Sequence, residues 1–170
     1  MNVTLYMATT PNGFIAKKND DTSWVSATEW KSFRAMIKKT GNIIIGKRTY
    51  DIMVRGNEIK QLENVLIVVM THEPFTPMTK NTVIAKTPSA ALTLMKGHGF
   101  TRALVAGGGA TNGSFLKEGL VNDIYLDIEP LLFNNGIPLC GIVPMNISLL
   151  LKDVKKISKN EVQLHYAVTP

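Results

Sequence analysis

The stretch Ala103-Leu104-Val105-Ala106-Gly107-Gly108-Gly109-Ala110-Thr111-Asn112, continuing as Gly113-Ser114-Phe115-Leu116-Lys117-Glu118-Gly119, decides how the chain is read. Ala103 to Ala106 is a short apolar run of the kind buried on both faces of a parallel sheet. Three glycines follow, then a segment from Asn112 to Glu118 that reads as a helix closed by Gly119. In an open α/β sheet, ligands bind beyond the carboxyl ends of the strands, at junctions of this form. Glycine lets a phosphate approach the main chain closely, and the free N–H groups of a helix start favour negative charge. Three glycines by themselves also suit a tight turn that holds nothing.

A second junction has the same form. The strand-like run Asn42-Ile43-Ile44-Ile45, β-branched from Ile43 on, meets Gly46 and then Lys47-Arg48-Thr49, which opens a short helix to Met53. Two such junctions suit the two ends of one elongated anion. Neither is a named fingerprint. Gly107, Gly109 and Gly113 are spaced G-x-G-x-x-x-G, one residue longer than the dinucleotide pattern, and no early βαβ unit carries them. Gly41 to Lys47 reads G-x-x-x-x-G-K, but Arg48 stands where a phosphate-binding loop needs Ser or Thr for magnesium. The residues between are strand-like, so kinase and ATPase readings are rejected.

Outward from these junctions, strands alternate with helices. Val3 to Met7 is a strand before the turn Pro11-Asn12-Gly13, and Lys17 to Ser23 is a polar loop. Asp20 and Asp21 serve there as loop solvation. Ser26 caps a helix to about Lys39, with Trp30, Phe33 and Ile37 on its buried face, and Gly41 ends it. Val65 to Met70 and Val83 to Ala85 are further strands, and Ser89 caps a helix from Ala90 to Lys96. After Gly119, Asp123 to Leu132 reads as a strand and Gly136-Ile137-Pro138 as a turn. Ser148 to Ile157 and Val162 to Val168 read as the arms of a hairpin. The pattern predicts a three-layer α/β fold: a mainly parallel central sheet flanked by helices, with an antiparallel C-terminal hairpin. Residues 1–170 read as one domain.

Composition narrows the partners. The formal net charge is +6, which suits an anionic ligand, but the basic residues are scattered apart from Lys152, Lys155, Lys156 and Lys159. No basic stripe with interleaved aromatics is present, so a nucleic-acid partner is not expected. With one cysteine, Cys140, no intrachain disulfide or thiolate metal cluster forms, and His72, His98 and His165 lack metal-ligand spacing. No metal is expected. The first residues show no signal peptide, and no window approaches the ~20 apolar residues of a membrane span. The expectation is a cytoplasmic enzyme or binding domain.

Together these residues resemble the dihydrofolate reductase-like superfamily, and within it the reductase domain of the bifunctional riboflavin biosynthesis deaminase/reductase. The strongest part runs from Ala106 through Leu116 and on through Gly119-Leu120-Val121-Asn122-Asp123. Ile128-Glu129-Pro130-Leu131-Leu132 and Gly136-Ile137-Pro138-Leu139 are similar to the same branch. Ile44-Ile45-Gly46-Lys47-Arg48-Thr49-Tyr50 resembles an element common to both branches, and Thr4 to Ala16 resembles the superfamily's first strand and loop. The resemblance implies NADPH along the carboxyl edge of the sheet. Gly107, Gly108 and Gly109 would contact the pyrophosphate, with Ala110, Thr111 and Asn112 as helix-start donors. Gly46, Lys47, Arg48 and Thr49 would serve other phosphates. Thr71 and His72 would lie near the adenosine 2′-phosphate unless they form only a surface turn. Ala8 and Ile15 would line the nicotinamide pocket. A cation such as Arg48 would favour NADPH over NADH.

Reduction of a C=N bond needs a proton as well as a hydride. Counted from Trp24, which matches the loop tryptophan of dihydrofolate reductases, Glu29 falls at the place of their substrate-binding acid, and Phe33 shares its helix face. Ser26-Ala27-Thr28-Glu29 is also a capping box, in which Glu29 merely returns to the Ser26 amide. Asp127 either binds an aminopyrimidine or faces solvent. The basic residues Lys31, Arg34 and Lys38 along the same helix would hold a substrate phosphate or simply be solvated. The fused deaminase domain of the riboflavin enzyme, with its zinc motif, is missing from these residues. The implied function is an NADPH-dependent reductase of a small pterin- or pyrimidine-like substrate, most like 5-amino-6-(5-phosphoribosylamino)uracil reductase. Dihydrofolate reductase proper and a non-catalytic NADP-binding domain are the alternatives. The branch suggests a homodimer.

Overall fold

Ile43, Ile44 and Ile45 are all fully buried: Ile43 and Ile45 belong to one apolar core, Ile44 to another. Successive side chains of a strand point to opposite faces, so an unbroken β-branched run requires a sheet covered on both sides. That is what the computed structural model shows, over residues 1–142 and 144–169.

In chain order the elements are β1 (Asn2–Thr9), β2 (Phe14–Lys17), α1 (Ala27–Thr40), β3 (Asn42–Gly46) and α2 (Lys47–Arg55), then a 3-10 turn at Ile59–Leu62. There follow β4 (Leu66–Met70), β5 (Thr82–Ala85), α3 (Pro88–Gly97), β6 (Arg102–Val105) and α4 (Gly109–Lys117). The chain finishes with β7 (Asp123–Ile128), β8 (Gly136–Pro138), β9 (Leu149–Lys156) and β10 (Val162–Val168). Eight strands form one sheet in the order β5-β4-β3-β6-β1-β7-β10-β9. All neighbours are parallel from β5 to β7, and β10 runs antiparallel to both β7 and β9. Phe33 and Ile37 of α1 pack with Tyr50 and Met53 of α2 on one face. Ala91 and Met95 of α3 pack with Phe115 and Leu116 of α4 on the other. The expected three-layer α/β fold with its antiparallel hairpin is the observed one.

Local chemistry accounts for the helix ends. Ser26 accepts from the Glu29 amide, and Gly41 closes α1 in the left-handed region at φ 72°. Helix α3 starts earlier than Ser89: Thr87 caps it by accepting from the Ala90 amide, and Pro88 takes the first turn, where no N–H is needed. Helix α4 likewise starts at Gly109 rather than Asn112, so the third glycine is already helical. Strand β7 stops at Ile128, short of Leu132, because Pro130 has no amide to continue a ladder. Gly136-Ile137-Pro138 is a strand, not a turn, and pairs antiparallel with Phe14 to Lys17.

The loop after β8 packs directly on the start of α4. The Asn112 side-chain amide donates to the Leu139 carbonyl at 2.8 Å. A Cβ at Gly109 would strike the Pro138 carbonyl oxygen and lie 2.9 Å from the Gly141 amide nitrogen. Gly109→Ala should therefore cost about 1–3 kcal/mol, the scale of an overpacked core. Gly97→Ala, at the end of α3 with nothing within 4 Å, should not destabilise. Chemical denaturation of the two variants checks the contrast.

Candidate active site

Strands β3 and β6 are neighbours, yet the helices that follow them depart to opposite faces of the sheet. A crevice must open between two strands that part in this way. The two glycine junctions meet there directly: the Gly46 amide donates to the Gly107 carbonyl at 2.8 Å. A Cβ on Gly46 would lie 2.7 Å from Thr111 Oγ1, and one on Gly108 would lie 3.1 Å from Thr49 Oγ1. Glycine is what lets the starts of α2 and α4 come this close.

Helices α1 and α3 have side-chain caps, from Ser26 and Thr87, whereas α2 and α4 have none and carry no acid in their first turns. Their free amides open on a cavity of about 830 Å³. Gly46, Lys47, Arg48, Thr49, Gly108, Gly109, Ala110 and Thr111 line one end of it. An uncapped helix start attracts anions. Both lining cations already hold carboxylates. Lys47 Nζ contacts both Asp51 oxygens at 2.7 and 2.6 Å, and Arg48 Nε contacts Asp20 Oδ2 at 2.6 Å. The second pair ties the loop between β2 and α1 to α2.

Ala8 and Ile15 line the middle of the cavity with Met7, Ala16 and Ile137. The other end is made by α1 and the segment after α2: Ser26, Glu29, Trp30 and Phe33 face Ile52, Met53, Glu58 and Gln61. Tyr6 stacks on Phe33 with ring centroids 5.3 Å apart.

Glu29 is only 5% exposed. Its backbone amide serves the cap, but its carboxyl does not return to Ser26. The Ser26 amide donates instead to Glu129 Oε1 at 2.8 Å. Glu129 thus completes the box and leaves the Glu29 carboxyl to the cavity. Burial first, and then the charge of Asp127, push Glu29 up from 4.5 to about 8. At neutral pH Glu29 is a carboxylic acid with a proton to give.

Other expected site residues lie behind or beside the cavity wall. Asp127 is 1% exposed and neither lines the cavity nor faces solvent. It accepts from Tyr6 Oη at 2.7 Å and Gln163 Nε2 at 2.7 Å, so it orients the Tyr6 phenol. Trp24 packs edge-on against Phe133 and donates to the Asp21 carbonyl, off the lining. Gly107 and Asn112 are buried beneath the crevice. Thr71 Oγ1 accepts from the Glu73 amide in a surface turn that includes exposed His72. Lys31, Arg34 and Lys38 are exposed and off the lining. Asp20 pairs with Arg48 rather than serving solvation alone.

Tyr6, Trp30, Glu58 and Gln61 were not among the expected site residues. Trp30 had a signal, since it shares the apolar stripe of α1. Glu58 had none, being one acid in an irregular loop.

Residues 1–163 match the family model described as the RibD C-terminal domain. The uncharacterized protein YwjB of Bacillus subtilis (strain 168) is 24% identical over 95% of both chains. A protein of Shewanella sp. PV-4 ascribed to riboflavin biosynthesis superposes with a TM-score of 0.81 at 21% identity, over 100% of both chains. A pyrimidine reductase-like protein of Corynebacterium diphtheriae gives 0.80 at 13% identity, over 99% of this chain and 92% of that one. These structures have the same fold.

A carboxyl whose value is raised from 4.5 to about 8 weakens the folded state as pH rises through that interval, because the unfolded chain ionises more readily. Glu29→Gln lacks this loss. Relative to wild type, the variant should gain on the order of a few kcal/mol between pH 5 and pH 9, read as a difference of urea-denaturation midpoints.

Proposed function

The chain belongs to the RibD C-terminal domain family, and we propose that it is an NADPH-dependent reductase delivering hydride to a small pyrimidine- or pterin-like acceptor. One observation carries the reading: two uncapped helix starts and a buried carboxyl, pushed up by its burial, line one and the same cavity. Its volume, about 830 Å³, lies in the range of cofactor sites.

The phosphates of the cofactor fit the end where Gly46 and Gly108 clear the approach to the α2 and α4 amides. Gly107 shapes that turn from below, and Thr71 and His72 would meet the adenosine end. When bound, the dinucleotide supplies the hydride. The remaining work falls to the chain's own residues. Ala8 and Ile15 present an apolar wall that excludes water beside the ring, and Trp30 and Phe33 orient a flat acceptor. Glu29 holds a proton where a reduced C=N nitrogen would take it up. Asp127 keeps the Tyr6 hydroxyl turned toward α1. The proposed acceptor is small, and the partners expected are neither nucleic acid nor membrane; no helix among the described residues is long and apolar enough to cross a membrane.

A cytoplasmic homodimer belongs to the same proposal. Leu149, Leu150 and Leu151 are an exposed apolar run at the start of the edge strand β9, ahead of Lys152, Asp153, Lys155 and Lys156, and a second copy would cover that run.

Oxidation of NADPH at 340 nm with pyrimidine and pterin acceptors tests the reading. Turnover should fall as pH rises through about 8, where Glu29 loses its proton. Glu29→Gln should lower kcat roughly 100-fold or more. NADPH fluorescence quenched without consumption by any acceptor would make the chain a binding domain.

Arg48 is the cation proposed for the 2′-phosphate. Arg48→Ala should weaken NADPH about tenfold and NADH little, whereas Asp20→Asn, which frees the guanidinium, should tighten NADPH. Fluorescence titration with each nucleotide separates the two effects.

A further inference from the structure

Tyr6 of β1, Glu29 of α1 and Asp127 of β7 are all buried, and they form one polar cluster beneath the cavity wall. Strand register brings it together. Ala8 of β1 and Gln163 of β10 both pair with Asp127, and Tyr6 lies two residues before Ala8, on the same face of the sheet. The Tyr6 ring is stacked on Phe33, which fixes the ring and leaves the O–H bond free to rotate.

A phenol has one proton to donate. Its nearest acceptor is Asp127 Oδ2 at 2.7 Å, with the Glu29 main-chain carbonyl at 3.5 Å. Among the described residues, Tyr6 is also the side chain whose hydrogen bond acts on the Glu29 carboxyl. With its proton turned to Asp127, the Tyr6 oxygen presents lone pairs to Glu29. That suits Glu29 only while it holds its own proton. An ionised Glu29 would be a buried carboxylate without a donor, which is costly.

Asp127 does not depend on Tyr6 alone. Gln163 Nε2 donates to Asp127 Oδ1 at 2.7 Å, and the Ser32 hydroxyl also reaches Asp127. Gln163 is steadied in turn by Ser32 Oγ at 3.0 Å. The other charged groups that act here are acids. Glu129 at the end of β7 and Glu58 after α2 oppose a charge on Glu29, and Glu161 before β10 opposes one on Asp127.

We propose that the Tyr6 hydroxyl is a two-position switch, donating to Asp127 while Glu29 holds its proton and turning to Glu29 once that proton has passed to the substrate. One proton changes owner, from the Glu29 carboxyl to the nitrogen being reduced. The phenolic proton stays on Tyr6 and changes only its acceptor. Hydrogen bonds to a newly formed charge are the strong ones, and Asp127 keeps two donors when Tyr6 leaves it. Tyr6 and Asp127 are therefore positioning residues that act through Glu29. The inference rests on the reductase reading for the step in which Glu29 gives up its proton, and deepens it by naming what stabilises the group left behind.

Carboxyl-carbon NMR of the isotope-labelled full chain follows Glu29 directly, with Glu29→Gln identifying its signal. Tyr6→Phe should raise the Glu29 midpoint by about one pH unit, because the ionised form loses its donor. Asp127→Asn should lower it by about as much, since an opposing charge is removed and the phenol turns more readily. The fall in kcat at high pH should move in the same direction in each variant. Tyr6→Phe should also lower kcat roughly tenfold with KM little changed, as expected for a bond made only after the substrate is bound. Wild type supplies a measurement that needs no altered side chain: the signal of the Tyr6 hydroxyl-bearing carbon should move with the Glu29 midpoint.

A Tyr6 signal that does not respond to Glu29 overturns the switch. So does a Glu29 midpoint that stays or falls in folded Tyr6→Phe, or stays or rises in folded Asp127→Asn. A merely structural role for Tyr6 would lower the urea-denaturation midpoint and leave the Glu29 titration in place. Any of these results in a chain that oxidises NADPH leaves the reductase reading standing. The expected titrations in a chain that consumes NADPH with no acceptor support the coupling of the three groups and overturn the reductase reading instead.

Discussion

The contact on which the rest of this structure depends is the close approach of two turns, marked by the hydrogen bond from the Gly46 amide to the Gly107 carbonyl. It lies between β3 and β6, neighbouring strands that send their helices to opposite faces of the sheet. Thr111 and Thr49 fill the space that side chains on Gly46 and Gly108 would need. Two helix starts therefore share one opening, and their unpartnered amides give it a positive character without spending a side chain on capping. The cavity, its charge gradient and the placement of α1 above it follow from that geometry.

A second dependency runs through α1. Its start is held from across the sheet, by Glu129 at the end of β7, and not by its own third residue. Glu129 and Glu161 are both nearly buried and interact. Burial raises both; at Glu161 it is outweighed by side-chain hydrogen bonds, that from Ser158 foremost, which hold the group down. The acid pair keeps the α1 entry in register with the hairpin, and so fixes where Glu29 enters the cavity. Asp127 does comparable work one turn deeper through Tyr6 and Gln163.

Much of the fold was legible because hydrophobic period and punctuation agreed. Ile43–Ile45 and Leu66–Met70 are continuous apolar runs, rich in β-branched residues, that read as buried parallel strands, and Ser26 and Gly41 mark α1 at both ends. Gly136-Ile137-Pro138 was misread because its pairing partner, Phe14 to Lys17, lies more than a hundred residues away and neither segment alternates long enough to declare itself. The two glycine junctions were legible for a related reason: glycines at strand ends advertise close approach. The part of the cavity lined by α1 and the segment after α2 was only half legible. Glu29 obeys a capping pattern whose reciprocal bond is taken by a residue a hundred positions later, a long-range substitution that no local motif encodes. Glu58 and Gln61 belong to irregular chain, where position comes from packing rather than period.

The ion pairs at the cavity mouth have a consequence for energetics. Asp20 and Asp51 are resident counterions: Arg48 and Lys47 are neutralised by the protein before any external anion arrives. Under the proposed function, taking up a phosphate at this end would be an exchange of one anion for another. Little net charge is transferred from solvent, and the dependence on ionic strength should be shallow for a chain of charge +6. The carboxylate displaced from Arg48 belongs to the loop that walls the cavity. Under the same reading, ligand uptake and loop release would be two descriptions of one event.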